Sequence, residues 1–177
     1  MICTIGRWRP AFLILIPLTV FITVLAYEPV SLALYRIREP HYRWPIKAKS
    51  SRITIRNDAH GSGAYGAKRR GGRKHAGIDI AAPLNTPVYA AKSGIAFRGN
   101  VPTGYGKYVM IYHPDGSQTM YSHLADWRIT STQKVRRGDC IGLVGNTGNA
   151  ANRNIQPHVH FEIREKGEPV DPRPLLK

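Results

Sequence analysis

From Ala76 to the C-terminus no stretch keeps a helical period for more than two turns, and that most constrains the fold. Short β-branched and aromatic runs alternate instead with turn residues: Pro87–Ala91, Gly94–Arg98, Lys107–Tyr112, Ser117–Ser122, Cys140–Val144 and His158–Arg164. His113-Pro-Asp-Gly116 is a reversal between two of them, because Pro and Gly there favour a turn. The expected fold is mostly β, an antiparallel sheet, with helix confined to an N-terminal hydrophobic segment and short turns.

That N-terminal segment runs uncharged from Ala11 to Tyr27 and follows Arg7 and Arg9. At about 1.5 Å per residue a helix there reaches about 26 Å, slightly short of a bilayer core, so a span has to continue past Glu28 to Tyr35. The expectation is a single-pass membrane protein of the cell envelope. Arg7 and Arg9 keep its N-terminus in the cytoplasm, and the rest lies outside, periplasmic or extracytoplasmic. The alternative is a secreted chain cleaved near Ala26, where Val24 and Ala26 have the small-residue spacing of a signal site. The expected division is residues 1–35 as anchor or signal, 36–60 as a basic juxtamembrane linker, and 61–177 as one catalytic domain. In the linker, Trp44, Pro45 and Ile46 either lie on the membrane surface or pack on the domain.

Cys3 and Cys140 would have to pair across a membrane, so no disulfide framework is expected. Cys140, in Asp139-Cys-Ile-Gly-Leu-Val, reads as a small buried core residue and not as a nucleophile. The net charge of +15 belongs almost wholly to the part after the apolar segment, since residues 1–30 hold only two of the 26 basic and one of the 11 acidic residues. Such a field draws polyanions such as acidic wall polymers or peptide carboxylates. Nucleic acid is not an expected partner, because no base-reading motif is present. Gly61–Gly72 lacks the Lys-Ser/Thr ending of a phosphate loop and reads as a mobile rim of a site.

Five side chains stand out: His75, Asp79, His123, His158 and His160. Imidazole nitrogen and carboxylate oxygen are the donors of a catalytic zinc that keeps one position open. On a strand His158 and His160 leave the same face with Cβ atoms about 6.5–7 Å apart. That suits a shared zinc, or one ligand beside one base, and spacing leaves open which histidine does what. His75 and Asp79 lie too far apart on a regular strand to share an ion, so the chain has to bend at Ala76-Gly77, where glycine permits it. Asp79 between two isoleucines is costly unless a cation or donors satisfy it; the competing reading is an Asp that caps a turn or pairs with an arginine. His123 ends a strand, where a side chain can face a cleft. His41 and His60 have no partner at metal-like spacing and read as solvent-facing.

His75-x-x-x-Asp79, Tyr121-Ser-His123-Leu and His158-x-His160, with the surrounding HAGIDIAAPLNTPVYA, VRRGDCIGLVGNTG and PHVHFEI, resemble the M23 peptidases, the lysostaphin-like or LytM-type zinc endopeptidases of peptidoglycan. The resemblance covers about Gly61 to Pro172. It implies that His75, Asp79 and His160 hold Zn2+ and that His123 and His158 are the catalytic pair. The implied activity is zinc-dependent hydrolysis of peptide cross-links or stem peptides of peptidoglycan. A non-hydrolytic regulator of another wall hydrolase, working through a protein partner, is the other expectation. Gly148 to Pro157 departs from the family's short Ser/Thr/Gly connection, being longer and rich in Asn, and is expected to border the cleft.

Overall fold

In the strand His158–Glu165 both faces are buried, and the rest of the domain is arranged around it. The computed structural model describes residues 27–47 and 53–177. Glu39–Lys177 forms one compact unit, separate from a unit that ends at Arg38. Among the described residues its strands are β1 (Asn57–Asp58), β2 (Gly61–Ser62), β3 (Ile78–Ala81), β4 (Pro87–Tyr89), β5 (Gly94–Val101), β6 (Gly106–Tyr112), β7 (Gln118–Trp127), β8 (Gln133–Val135), β9 (Cys140–Val144), β10 (His158–Glu165) and β11 (Glu168–Val170). β1 and β2 make a two-residue hairpin, and the others form one antiparallel sheet ordered β11-β10-β7-β6-β5-β8. β3 pairs with the first half of β10, and β9 bridges β4 to the second half of β7.

The alternation of β10 explains its position. Val159, Phe161 and Ile163 enter a core with Ile78, Ile80, Val109 and Tyr121, all fully buried. The Phe161 and Tyr121 rings, opposite each other in the register, lie 5.2 Å apart. The other face of β10 presents His158, His160 and Glu162, also buried, so a polar cluster lies on the sheet. Gly77 lets this happen by close approach: a Cβ there would overlap the Phe161 carbonyl. The bend between His75 and Asp79 thus needs glycine for space against β10, since the residue does not lie in the left-handed region.

Residues 39–47 strap the sheet. Tyr42 bridges to Leu176, its N–H bonding to the Leu175 carbonyl at 3.2 Å, and Arg43 N–H donates to the Ala91 carbonyl at 2.9 Å. Ile46 is buried in the core, so the Trp44–Ile46 stretch packs on the domain. Cys140 departs from expectation: it opens β9 at an outward position and is exposed, with Ile141 taking the core position.

The single-pass membrane reading is corrected. Residues 27–38 are helical but carry Glu28, Arg36 and Arg38, and they expose Tyr27, Val30, Leu34 and Ile37. Among the described residues no helix is long and apolar enough to cross a membrane. The extension through Tyr35 that the span required is therefore not supported. The start of the uncharged run at Ala11 and the cleavage position near Ala26 lie outside the described residues.

His113, just beyond β6, is buried against Ser93 and Thr119. Its Nδ1 lies 2.9 Å from the Ser93 carbonyl and its Nε2 3.0 Å from Thr119 Oγ1. A carbonyl only accepts, so Nδ1 carries the proton. Burial lowers the pKa, the Ser93 bond and Asp115 only partly opposing it. The unfolded chain therefore takes up this proton first, and stability present above about pH 6.5 is lost as pH falls below it. In urea unfolding, His113→Gln is expected to be less stable than wild type near pH 7.5, with the gap narrowing near pH 5.5. A constant gap would show that His113 does not titrate differently on folding.

Candidate functional site

The register of the sheet assembles the cluster. His160 lies opposite Asp79 of β3 on one edge and Ser122 of β7 on the other, so Asp79 and His160 leave one face as a directly opposed pair. His75 arrives from the turn before β3. Its backbone N–H donates to the Ala67 carbonyl at 2.9 Å, and its own carbonyl accepts from Gly66 at 2.9 Å. The Gly-rich segment expected as a mobile rim is thus bonded into the wall. A Cβ at Gly63 would press on Asp79 itself.

His123 is brought in by a break in β7. Its φ is 62°, in the left-handed region that few non-glycine residues adopt. The register between β6 and β7 shifts there, between Lys107 and Val109. Up to Ser122 the strand pairs with β10; from Leu124 it pairs with β9. A bulge of this kind re-aims one side chain, at a backbone cost of about 1–3 kcal/mol. The ring is then held from outside, with Nδ1 donating to the Thr147 carbonyl at 2.8 Å. Gly106 and Gly148, both at positive φ, let the turn bearing Thr147 come this close, since a Cβ on either would strike the other turn.

All five residues singled out from the sequence meet in one cleft. His75 Nε2, Asp79 Oδ1 and His160 Nδ1 form a nearly equilateral triangle with sides of 2.9, 2.9 and 3.0 Å. They form a group able to hold a metal ion. Their outer hydrogen bonds fix the tautomers. His75 Nδ1 donates to the Ala64 carbonyl at 2.9 Å, leaving Nε2 as its donor atom, and His160 Nε2 faces Glu162 Oε1 at 2.8 Å, leaving Nδ1 as the nitrogen that a metal would take once its proton is gone. Three lone pairs at such separations repel one another unless a cation lies among them. Tetrahedral zinc with bonds of about 2.0–2.1 Å keeps its ligands about 3.3–3.4 Å apart, within a few tenths of an ångström of this triangle. The donor set therefore fits a zinc-type ion.

The electrostatics agree. Burial works against a charge on Asp79, but bonds to His160 and His75 outweigh it and hold the carboxyl well below its usual range. Burial likewise opposes a charge on His160, yet Asp79 and Glu162 raise its pKa to about 9. Without a metal, a proton on His160 Nδ1 quiets the three lone pairs, and it has to leave when an ion binds. His158 and His123 stand beside the triangle with rings 5.1 Å apart. Each donates Nδ1–H to a backbone carbonyl, Gln156 at 2.7 Å and Thr147 at 2.8 Å, so each keeps a bare Nε2. His158 Nε2 is 3.9 Å from Asp79 Oδ1, outside hydrogen-bond range. Burial lowers both pKa values, that of His123 to about 3, where charge on His160 and His158 adds to the effect.

Several contributors were not singled out from the sequence. Asp79 divides its oxygens: Oδ1 faces the triangle, and Oδ2 accepts from Arg56 Nη2 at 3.0 Å and Nε at 3.3 Å and from Arg69 at 3.3 Å. The Asp–arginine pairing that competed with the ligand reading thus coexists with it. Glu162, fully buried, ties His160 to Arg164 and to the Tyr105 hydroxyl. Its signal was available, because His158, His160 and Glu162 share one face by the period of two. Arg56 had no such signal, lying 23 residues before its partner. His60 is exposed at the cleft's rim, and Asn149 and Ile155 border the cleft from the Asn-rich loop.

Comparison with known proteins agrees with this geometry. The model of Peptidase family M23 matches residues 73–172. DD-carboxypeptidase/endopeptidase Mpg of Neisseria meningitidis serogroup B is 46% identical over 101 residues, 56% of this chain and 22% of that protein. Murein hydrolase activator NlpD of Salmonella dublin is 34% identical over 132 residues, 74% of this chain and 30% of that one. The chain thus spans under a third of the length of these two relatives. A zinc-containing peptidase from Vibrio cholerae superposes with a TM-score of 0.59 at 30% identity, covering 73% of this chain and 38% of that one. With the mostly antiparallel β fold and a family match over more than half its length, the chain belongs to Peptidase family M23.

Proposed function

We propose that this chain is a zinc-dependent endopeptidase that hydrolyses peptide cross-links or stem peptides of bacterial peptidoglycan. One observation carries the reading: three donor atoms of the kind a zinc ion takes converge within 3.0 Å of one another beside two histidines whose Nδ1–H groups are tied to backbone carbonyls. The catalytic region is residues 61–177. His75, Asp79 and His160 hold the metal, which when bound supplies Lewis acidity to a water and a peptide carbonyl. The likeness to Mpg, named as a carboxypeptidase and endopeptidase, supports the substrate class.

The chain's own groups handle the protons. His123 and His158 keep Nδ1–H engaged with carbonyls, so their rings cannot turn and Nε2 alone exchanges protons. One accepts the proton of the attacking water; the other, once protonated, donates to the developing oxyanion or the leaving amine. The Glu162–His160 bond keeps the His160 ring in the orientation that offers Nδ1.

The likeness to NlpD favours a second reading, a peptidoglycan-binding activator of another hydrolase acting through a protein partner. The complete donor set weighs against it. The deciding experiment incubates the full chain with purified peptidoglycan, with and without a zinc chelator, beside His160→Ala. Soluble peptide fragments from wild type, none after chelation, and loss of bound zinc in His160→Ala are the expected results. Zinc and peptidoglycan binding without fragment release would replace the enzyme by the activator.

A further inference from the structure

The strap of residues 39–47 encloses a second concavity, of about 280 Å³, together with Tyr89 of β4, Gly138 in the turn before β9, and Lys177. It shares no lining residue with the cleft that holds the histidines. Its frame is hydrogen-bonded backbone. Arg43 N–H donates to the Ala91 carbonyl at 2.9 Å, Tyr89 N–H to Pro45 at 2.8 Å, Gly138 N–H to Ala90 at 2.8 Å and Lys177 N–H to Tyr42 at 2.9 Å. Ile46 and Ala90 supply buried apolar lining.

Three cations line this concavity, Arg43, Lys47 and Lys177, and no acid does. None of the three makes an ion pair among the described residues. Asp139, next to Gly138 in the chain, turns its Oδ2 back to the Arg136 N–H at 2.7 Å. The cations are not equivalent. Lys47 Nζ lies 4.3 Å from the centre of the Tyr89 ring, and Lys177 Nζ donates to His41 Nε2 at 2.8 Å. The Arg43 guanidinium lies beside Gly138, exposed, and its side chain bonds to no described residue. Trp44 lines the same concavity half-buried, and its indole N–H likewise donates to no described residue.

A guanidinium fork takes a carboxylate in two parallel bonds, and an indole beside it offers an apolar face with one polar N–H. The volume is at the small end of ligand sites, so it admits one ring of a larger molecule. An extended peptide finds little to pair with, because the N–H groups of Arg43, Tyr89, Ala90, Gly138 and Lys177 are spent inside the frame. A bilayer finds little to receive, because Ile46 and Ala90 are sunk in the domain. We propose that this concavity is a second binding site, one that takes a single acidic sugar of a polysaccharide with its carboxylate on Arg43 and its ring against Trp44. It holds the chain to an anionic glycan whatever reaction the cleft performs.

The test titrates the full chain with digalacturonate, with its uncharged methyl ester and with inorganic phosphate, followed by calorimetry and by the indole N–H signals in nuclear magnetic resonance. Digalacturonate is expected to bind about tenfold more tightly than the ester and to shift the Trp44 signal but not that of Trp127. Arg43→Gln should remove the margin over the ester, Arg43→Lys should restore part of it, and His160→Ala should bind as wild type does. Acid and ester binding alike, an unmoved Trp44 signal, or a margin that survives in Arg43→Gln would overturn the proposal. So would a loss of binding in His160→Ala, which would move the ligand to the cleft. Phosphate binding as tightly as digalacturonate would replace the sugar site by a plain anion site. Retention on phosphatidylglycerol vesicles without digalacturonate binding would assign the surface to a membrane instead.

Discussion

Replacing His123 by asparagine is expected to leave the zinc content at its wild-type level while lowering peptide hydrolysis by about 10²–10⁴-fold, the contribution of a positioned proton-transfer group. The two effects separate because His123 is not in the donor triangle: its ring approaches the His160 ring at 6.0 Å, and its bonded nitrogen faces Thr147. Asparagine is the informative substitution. At φ 62° it tolerates the left-handed backbone that alanine resists, so the bulge in β7 survives and only the imidazole is lost. His158→Asn should give a comparable loss, and the double variant little more, because residues that act as a unit do not add. Metal content by emission spectrometry and steady-state rates, taken on one preparation, make the comparison. Loss of zinc in His123→Asn would move His123 from proton transfer to metal binding; unchanged turnover would remove it from the reaction.

How much of this was legible depended on the range of each interaction. The alternation that buries Val159, Phe161 and Ile163 and turns His158 and His160 to one face is a local period, and it was readable. So was the mostly antiparallel β fold, because each short run was closed by turn residues. Which of His158 and His160 faces Asp79 was not readable from spacing, since it depends on the register of β10 against β3, set by strands 80 residues apart in the chain. The left-handed His123 was hidden for a different reason. Nothing in Tyr-Ser-His-Leu marks a bulge; it follows from β7 having to leave β10 and join β9. Cys140 was misjudged because a period of two fixes alternation but not phase, and Ile141 took the inward position. The apolar N-terminal run promised a span by composition, but among the described residues no helix is long and apolar enough to cross a membrane, and Glu28 stands in the part the span needed to continue into.

Arg56 is the residue on which the site leans most while offering the least warning in sequence, and Arg56→Ala is expected to destabilise the metal-free chain by about 3–5 kcal/mol. The side chains of Arg56 and Asp79 are 6% and 4% exposed, so neither charge is relieved by water. The guanidinium bridges two carboxylates, Nη2 and Nε on Asp79 Oδ2 and Nη1 on Asp58 at 2.7 Å. Asp58 in turn accepts the Gln156 N–H at 3.1 Å, so the pair also holds the end of the loop that precedes β10. Arg56→Lys should recover only part of the loss, because one ammonium cannot span both carboxylates as the fork does. An ion on Oδ1 supplies the positive charge that Arg56 no longer gives, so saturating zinc should stabilise Arg56→Ala in urea unfolding, by an amount that grows with free zinc. If Arg56→Ala in chelator unfolds at the wild-type urea concentration, then the proton that His160 holds at Asp79 is enough to balance the carboxylate, and the arginine serves the loop instead.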